Sequence, residues 1–203
     1  MIASIDGRLT ALVLKIPASI KPNHITGTRI LLIPLVWALY YNVSPWAAAS
    51  MFALLALTDF VDGRLARGRG LVSDKGKLLD IGSDLALVWS AVALLWTEDI
   101  IHLQQDPVLF WLLVFMFVRE ILITTIRLLF RVKADEVRVL KVGKCKTGFF
   151  MVGLCVLLTV TVWEDGGTLA TVLLAIAAAC SFLSGVQYVH QFTNKAQSPR
   201  ESR

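Results

Sequence analysis

Apolar segments of 17–25 residues recur six times along this chain, and short connections of alternating charge separate them. They fall at about 25–43, 46–66, 77–96, 107–131, 147–163 and 168–192. About 20 apolar residues carry a helix across the hydrocarbon of a bilayer, and a helix satisfies its own backbone where water is absent. The pattern predicts an all-α integral membrane protein with six transmembrane helices. Composition agrees: 56% of the 203 residues are hydrophobic and mean hydropathy is +0.68, too apolar for an ordinary soluble domain.

The connections sort by charge. Lys and Arg occupy the N-terminal arm, the 64–77 and 127–146 segments and the C-terminal tail, whereas 43–46, 97–106 and 164–167 contain none. By the positive-inside tendency both termini and the basic loops are expected in the cytoplasm of a bacterial-type cell membrane. The net charge of +5 therefore reads as loop bias and attraction to anionic lipid headgroups, not as a nucleic-acid surface.

Residues 1–20 form a separate expectation. Ile2, Ile5, Leu9, Leu12, Val13 and Ile16 recur at helical spacing among Ser4, Asp6, Arg8 and Lys15, and Pro17 stops the pattern. Fifteen or so residues are short for a span, so an interfacial amphipathic helix is predicted. The charges through its middle do not fit a cleavable signal. Residues 21–192 make up the six-helix domain, and 193–203 a polar tail. Cys145, Cys155 and Cys180 lie in or beside apolar stretches and read as small buried hydrophobes.

Four carboxylates interrupt this apolar plan. The second segment ends Asp59-Phe-Val-Asp62-Gly63-Arg64-Leu65-Ala66-Arg67, and the third begins Gly76-Lys-Leu-Leu-Asp80-Ile-Gly-Ser-Asp84. Acidic residues in membrane segments are costly and mark functional sites. Spacings of three and four put each pair on one helix face. A short 68–75 loop folds the two helices into a hairpin, so all four can converge at one depth. Such a quartet needs protonation or bound cations. Hard oxygen donors suit Mg²⁺, Mn²⁺ or Ca²⁺, and two such ions can clamp the oxygens of a displacement at phosphorus. Arg67, near Asp62, has the charge and fork to grip a pyrophosphate.

Asp59, Asp62, Gly63, Ala66, Arg67, Gly76, Asp80 and Asp84 fit the signature D-x2-D-G-x2-A-R-x8-G-x3-D-x3-D in register over 26 positions. In this the chain resembles the CDP-alcohol phosphatidyltransferase family, and the six-span layout is similar over nearly its whole length. The resemblance implies a membrane enzyme of phospholipid biosynthesis that moves a phosphatidyl-type group from CDP-diacylglycerol to an alcohol and releases CMP. It implies Asp59, Asp62, Asp80 and Asp84 as ligands of Mg²⁺ or Mn²⁺, two ions per site, with Asp84 also the general base. It implies Gly63, Ala66, Arg67, Ser73 and Gly76 around the CDP moiety. Pro22-Asn23-His24-Ile25-Thr26-Gly27-Thr28-Arg29 is similar to the family's P-N-x-x-T-x-x-R entry to the first span, which places Asn23, Thr26 and Arg29 beside the nucleotide.

The acceptor rests on other segments. Arg119-Glu120 followed by Arg127 resembles the R-E-x6-R of the family's phosphatidylglycerophosphate synthases, and Gly143-Lys144-Cys145-Lys146-Thr147 their G-K-x-K-T. Arg119, Arg127, Lys144 and Lys146 are thereby implied in binding a phosphorylated polyol such as glycerol 3-phosphate. Ile81, Leu85 and Phe150 depart from the residues usual in those synthases. Inositol phosphate, or phosphatidylglycerol giving cardiolipin, stay open as acceptors. Arg119 and Glu120 have a plainer reading as an internal ion pair aligning helices. A homodimer is implied, and small residues at Ala47–Ser50, Ala177–Ala179, Ser184 and Gly185 permit close helix contact. Outside this chemistry stand an ion transporter using the aspartates as its path, and a silent lipid-binding subunit.

Overall fold

The computed structural model describes residue 17 and residues 22–71, 73–101, 106–129, 141–163 and 165–197. Among these residues it is all-helical: α1 (Pro22–Asn42), α2 (Pro45–Gly68), α3 (Asp74–Thr97), α4 (Pro107–Leu129), α5 (Lys141–Leu157) and α6 (Gly166–Gln197). The interfacial helix expected over residues 2–16 lies outside the described residues. The helices coincide with the six apolar segments, and among the described residues three are long and apolar enough to cross a membrane, over Pro45–Ala66, Leu78–Thr97 and Gly166–Val186.

Local chemistry sets the helix boundaries. Ser44 precedes Pro45, and its Oγ accepts from the Ala47 amide at 3.1 Å. Asp106 precedes Pro107 and accepts from the Leu109 amide at 2.9 Å. Proline suits the first helical position because its missing N–H would be unpaired there anyway, and the preceding Ser or Asp caps the orphan amides. Ser73 caps α3 in the same way, accepting from the Gly76 amide. α2 ends where Gly70 takes φ +65° and the Leu71 amide bonds back to the Ala66 carbonyl at 2.9 Å. This is the glycine-closed end that lets a chain reverse at once.

Two boundaries differ from the sequence pattern. The fifth apolar segment was expected to run to residue 163, but α5 stops at Leu157 and residues 158–162 turn. Thr159, Val160, Thr161 and Val162 are all β-branched, which disfavours helix. The turn is buried at Leu158 and Thr159. At the other end, α6 continues to Gln197, so the polar tail begins within a helix.

The helices form two packed units. The first contains α1, α2, α3 and Leu158–Val162; the second contains α4, α5 and α6. In the first, Val36, Phe52, Leu55, Leu87, Leu94 and Leu95 are buried, and the Trp37 indole donates to Ser90 Oγ at 2.7 Å. In the second, Met116, Ala177 and Ala178 form a core against which Leu112 and Phe150 pack. Gly153 lets α5 approach α6, since a Cβ there would lie 3.0 Å from Leu174. Leu31, Leu57, Trp111, Val172 and Phe182 point outward, exposed. Apolar side chains in such number on the outside suit acyl chains, not water, and the chain is an integral membrane protein.

Candidate active site

The carboxylates lie where α2 runs into its closing turn and where α3 begins, and α1 packs against both helices. Asp59 and Asp62, one turn apart on α2, meet Asp80 on α3. Each of the three offers an oxygen within 4.8 Å of the others. The expected convergence of the two helix faces is thus realised for this triad.

Asp84 belongs to the same cluster through a different contact. Arg29, reaching in from α1, donates from Nη1 to Asp84 Oδ1 at 2.9 Å and to Asp59 Oδ1 at 3.2 Å. Its Nη2 donates to Asp62 Oδ2 at 2.9 Å. The same guanidinium donates to Ser83 Oγ at 3.0 Å and, through Nε, to Thr58 Oγ1 at 3.2 Å. Nη1 also lies 4.0 Å from Asp80 Oδ1. The Arg29 side chain is 0% exposed, against 38%, 45% and 39% for Asp59, Asp80 and Asp84 and 3% for Asp62. One face of the carboxylate cluster is therefore sealed by Arg29 while three of the four acids remain reachable.

The donor set fits a divalent cation. Asp62 Oδ1 and Asp80 Oδ1 are buried and accept no hydrogen bond among the described residues. A buried carboxylate oxygen without a donor is costly, and a cation would satisfy both. Four carboxylates against one guanidinium also leave the cluster three negative charges in excess when all are ionised. All-oxygen donors of this charge suit hard ions such as Mg²⁺.

The residues expected beside a nucleotide separate into two groups. Thr26 is buried and donates to Asp62 Oδ2 at 2.8 Å. Like Arg29, it bonds to the cluster from α1. Asn23 and Ser73 are exposed and face Gly76: a Cβ at Gly76 would lie 3.1 Å from Asn23 Oδ1 and 3.0 Å from Ser73 Oγ. Gly76 thus keeps α1 and the start of α3 in contact. Gly63 and Ala66 lie on α2, one just past Asp62 and one a turn farther. Arg67 lies on the same helix, with its side chain outside the described set. Thr58 and Ser83 were not singled out from sequence. Each precedes an aspartate of the signature by one residue, and that adjacency is the signal that could have found them.

The residues assigned to the acceptor lie in the second unit. Arg119 Nη1 donates to Glu120 Oε2 at 3.1 Å, and Nη2 to Ser184 Oγ at 2.7 Å. Lys146 on α5 donates to the same Glu120 oxygen. The ion-pair reading of Arg119 and Glu120 is realised, joining α4, α5 and α6. Arg119 Nε and Ser181 Oγ are buried without a hydrogen-bond partner among the described residues. Arg127 and Lys144 lie on α4 and α5, their side chains outside the described set.

Comparison with known proteins agrees with this geometry. The profile of the CDP-alcohol phosphatidyltransferase family matches residues 19–183. A CDP-diacylglycerol–glycerol-3-phosphate 3-phosphatidyltransferase of Escherichia coli K12 is 33% identical over 177 residues, covering 83% of this chain and 92% of the relative. Proteins of the same name from Bacillus subtilis and Rickettsia typhi are 31% and 29% identical, covering 68% and 82% of this chain and 75% and 93% of theirs. The aspartate signature, the helices that gather it and a match across most of the length lead to one conclusion: the chain belongs to the CDP-alcohol phosphatidyltransferase family.

Proposed function

We propose that this enzyme transfers the phosphatidyl group of CDP-diacylglycerol to glycerol 3-phosphate and releases CMP. The observation that carries the reading is the carboxylate cluster of α2 and α3, with two buried oxygens that lack donors. It occurs in a chain that aligns over most of its length with relatives bearing that activity in their names. Asp59, Asp62 and Asp80 would hold a first Mg²⁺ or Mn²⁺, and Asp84 would share in a second. When bound, such ions supply positive charge that offsets the charge on the pyrophosphate oxygens.

The protein's own groups do the rest. Asp84, 39% exposed, is reachable by a substrate hydroxyl, and its Oδ1 is fixed by Arg29. It takes the acceptor's hydroxyl proton. The freed oxygen bonds to the lipid-side phosphorus as the bond from that phosphorus to the bridging oxygen breaks, and CMP leaves with the bridging oxygen. A cleft of about 340 Å³ borders the cluster, lined by Ile25, Leu32 and Leu55 beside His24, Thr28, Arg29 and Thr58. Its mixed lining suits the junction of a lipid with a polar headgroup. Asn23, Thr26, Arg29, Gly63, Ala66, Arg67, Ser73 and Gly76 are proposed around the CDP moiety. Arg119 and Lys146, with Arg127 and Lys144, are proposed to bind the acceptor phosphate, with Glu120 as their counter-charge until it arrives. The enzyme is proposed as a six-span homodimer with its active site and both termini in the cytoplasm, as the loop charges favour.

The test is reconstitution of the purified protein in liposomes with CDP-diacylglycerol and a panel of acceptors, with products identified by mass. CMP release that requires both glycerol 3-phosphate and a divalent cation is expected. Transfer only to inositol phosphate or phosphatidylglycerol would replace the acceptor and keep the chemistry. Ion flux without CMP release would replace the enzyme by a transporter.

A further inference from the structure

The second unit has a charge cluster of its own, built from α4, α5 and α6. Arg119 Nη1 and the Lys146 ammonium both donate to one oxygen, Glu120 Oε2. The two cations are nearly buried, with side chains 15% and 10% exposed, whereas Glu120 is 41% exposed. Ser184 Oγ holds Arg119 from α6 at 2.7 Å. Ser181 lies one turn before Ser184 on that helix. Its Oγ and Arg119 Nε are buried without a hydrogen-bond partner among the described residues. Val118, Ile121 and Leu122, within two residues of the pair on α4, are exposed apolar side chains, so lipid is close by. Two cations in such a place attract the phosphates of neighbouring lipids, and a carboxylate bonded to both of them opposes that attraction.

We infer that Glu120 is a specificity-determining residue: it occupies Arg119 and Lys146 as an internal stand-in for the acceptor's phosphate, keeps lipid phosphodiesters off them, and yields only to a phosphomonoester. This role rests on Arg119 and Lys146 binding the acceptor's phosphate, and it adds what that site refuses. Charge decides the exchange. Glu120 and a lipid phosphodiester each bring one negative charge, so replacing one by the other gains little and strips water from the newcomer. A phosphomonoester such as glycerol 3-phosphate brings about −1.5 to −2 at pH 7 and three strong acceptor oxygens. It has the charge to match both cations, where Glu120 matches one of the two. Arg119 Nε and the Ser181 hydroxyl are donors that Glu120 leaves unused and that the additional oxygens would engage. Glu120, the most exposed of the three side chains, is the one with room to swing aside.

The experiment measures CMP release against glycerol 3-phosphate concentration, with full-length protein in micelles of an uncharged detergent carrying CDP-diacylglycerol and excess Mg²⁺. Two anionic lipids without a free alcohol are added in turn: phosphatidylmethanol, a phosphodiester, and phosphatidic acid, a phosphomonoester. For the unaltered protein, phosphatidic acid is expected to raise the KM for glycerol 3-phosphate about fivefold or more, and phosphatidylmethanol to leave it within about twofold. Glu120→Gln keeps the shape and removes the internal charge. It is expected to lower that KM about tenfold in detergent alone, where loss of a merely structural contact would raise it. Phosphatidylmethanol should then inhibit the variant in competition with glycerol 3-phosphate, because a single charge now suffices. Equal inhibition of the unaltered protein by the two lipids, or an unchanged or higher KM in Glu120→Gln, overturns this role for Glu120 while transfer to glycerol 3-phosphate stands. The two-lipid comparison decides alone where the variant does not fold. No transfer to glycerol 3-phosphate by the unaltered protein, with or without added lipid, overturns the proposed acceptor and this role with it.

Discussion

Asp84→Asn is expected to slow CMP release by about 10²–10⁴-fold while the protein stays folded and still binds Mn²⁺. The substitution keeps shape and an oxygen to accept from Arg29, but it removes the capacity to take a proton. The fold should tolerate it because Arg29 retains Asp59, Asp62, Ser83 and Thr58, and because the Asp84 side chain is already 39% exposed. Rates of CMP release with saturating glycerol 3-phosphate, alongside a melting curve and a Mn²⁺ titration, check this. A variant retaining a tenth or more of the starting rate would remove Asp84 as the base.

Asp62→Ala should fail differently, losing activity and stability together. Asp62 is 3% exposed and accepts at 2.8 Å from Thr26 and at 2.9 Å from Arg29. Its removal leaves a buried guanidinium short of a partner and takes away the 2.8 Å bond from Thr26. Breaking a buried charge pair from one side costs about 3–5 kcal/mol. The variant also loses one of three triad ligands, so added Mg²⁺ or Mn²⁺ should not restore it. Asp80→Asn provides the contrast. The Asp80 contact to Arg29 is 4.0 Å and its side chain is 45% exposed, so turnover should vanish with a much smaller drop in melting temperature. Equal melting of the two variants would mean that burial around Asp62 does not carry the stability assigned to it.

The parts of this protein legible in its sequence are those that depend on neighbours along the chain. Helix starts at Pro45 and Pro107 follow from the Ser and Asp before them, and the reversal after α2 follows from Gly70. The facing of Asp59 with Asp62 follows from helical period alone. Arg29 shows where such reasoning stops. Its spacing from Asn23 and Thr26 gives the motif expected beside a nucleotide but not its side-chain partners, which lie toward α2 and α3 at residues 29 to 55 positions away. That direction is set by how α1 packs on α2 and α3, which no local pattern encodes. A signal was nevertheless present: a lone arginine inside an apolar segment needs a counter-charge, and the acidic signature supplies it. Arg119 and Glu120 illustrate the same limit. Adjacency suggested their pairing, but Lys146 and Ser184 join them only through the packing of α6 against both α4 and α5.

The reaction proposed for this chain depends on the triad of α2 and α3 binding a divalent ion. Diffraction from crystals grown with Mn²⁺, collected across the manganese edge, measures that directly. An anomalous peak among the carboxylate oxygens of Asp59, Asp62 and Asp80, with Asp62 Oδ1 and Asp80 Oδ1 turned toward it, is the expected result. Saturating Mn²⁺ with no peak at the triad, or with Lys or Arg side chains filling the space between its oxygens, would contradict it.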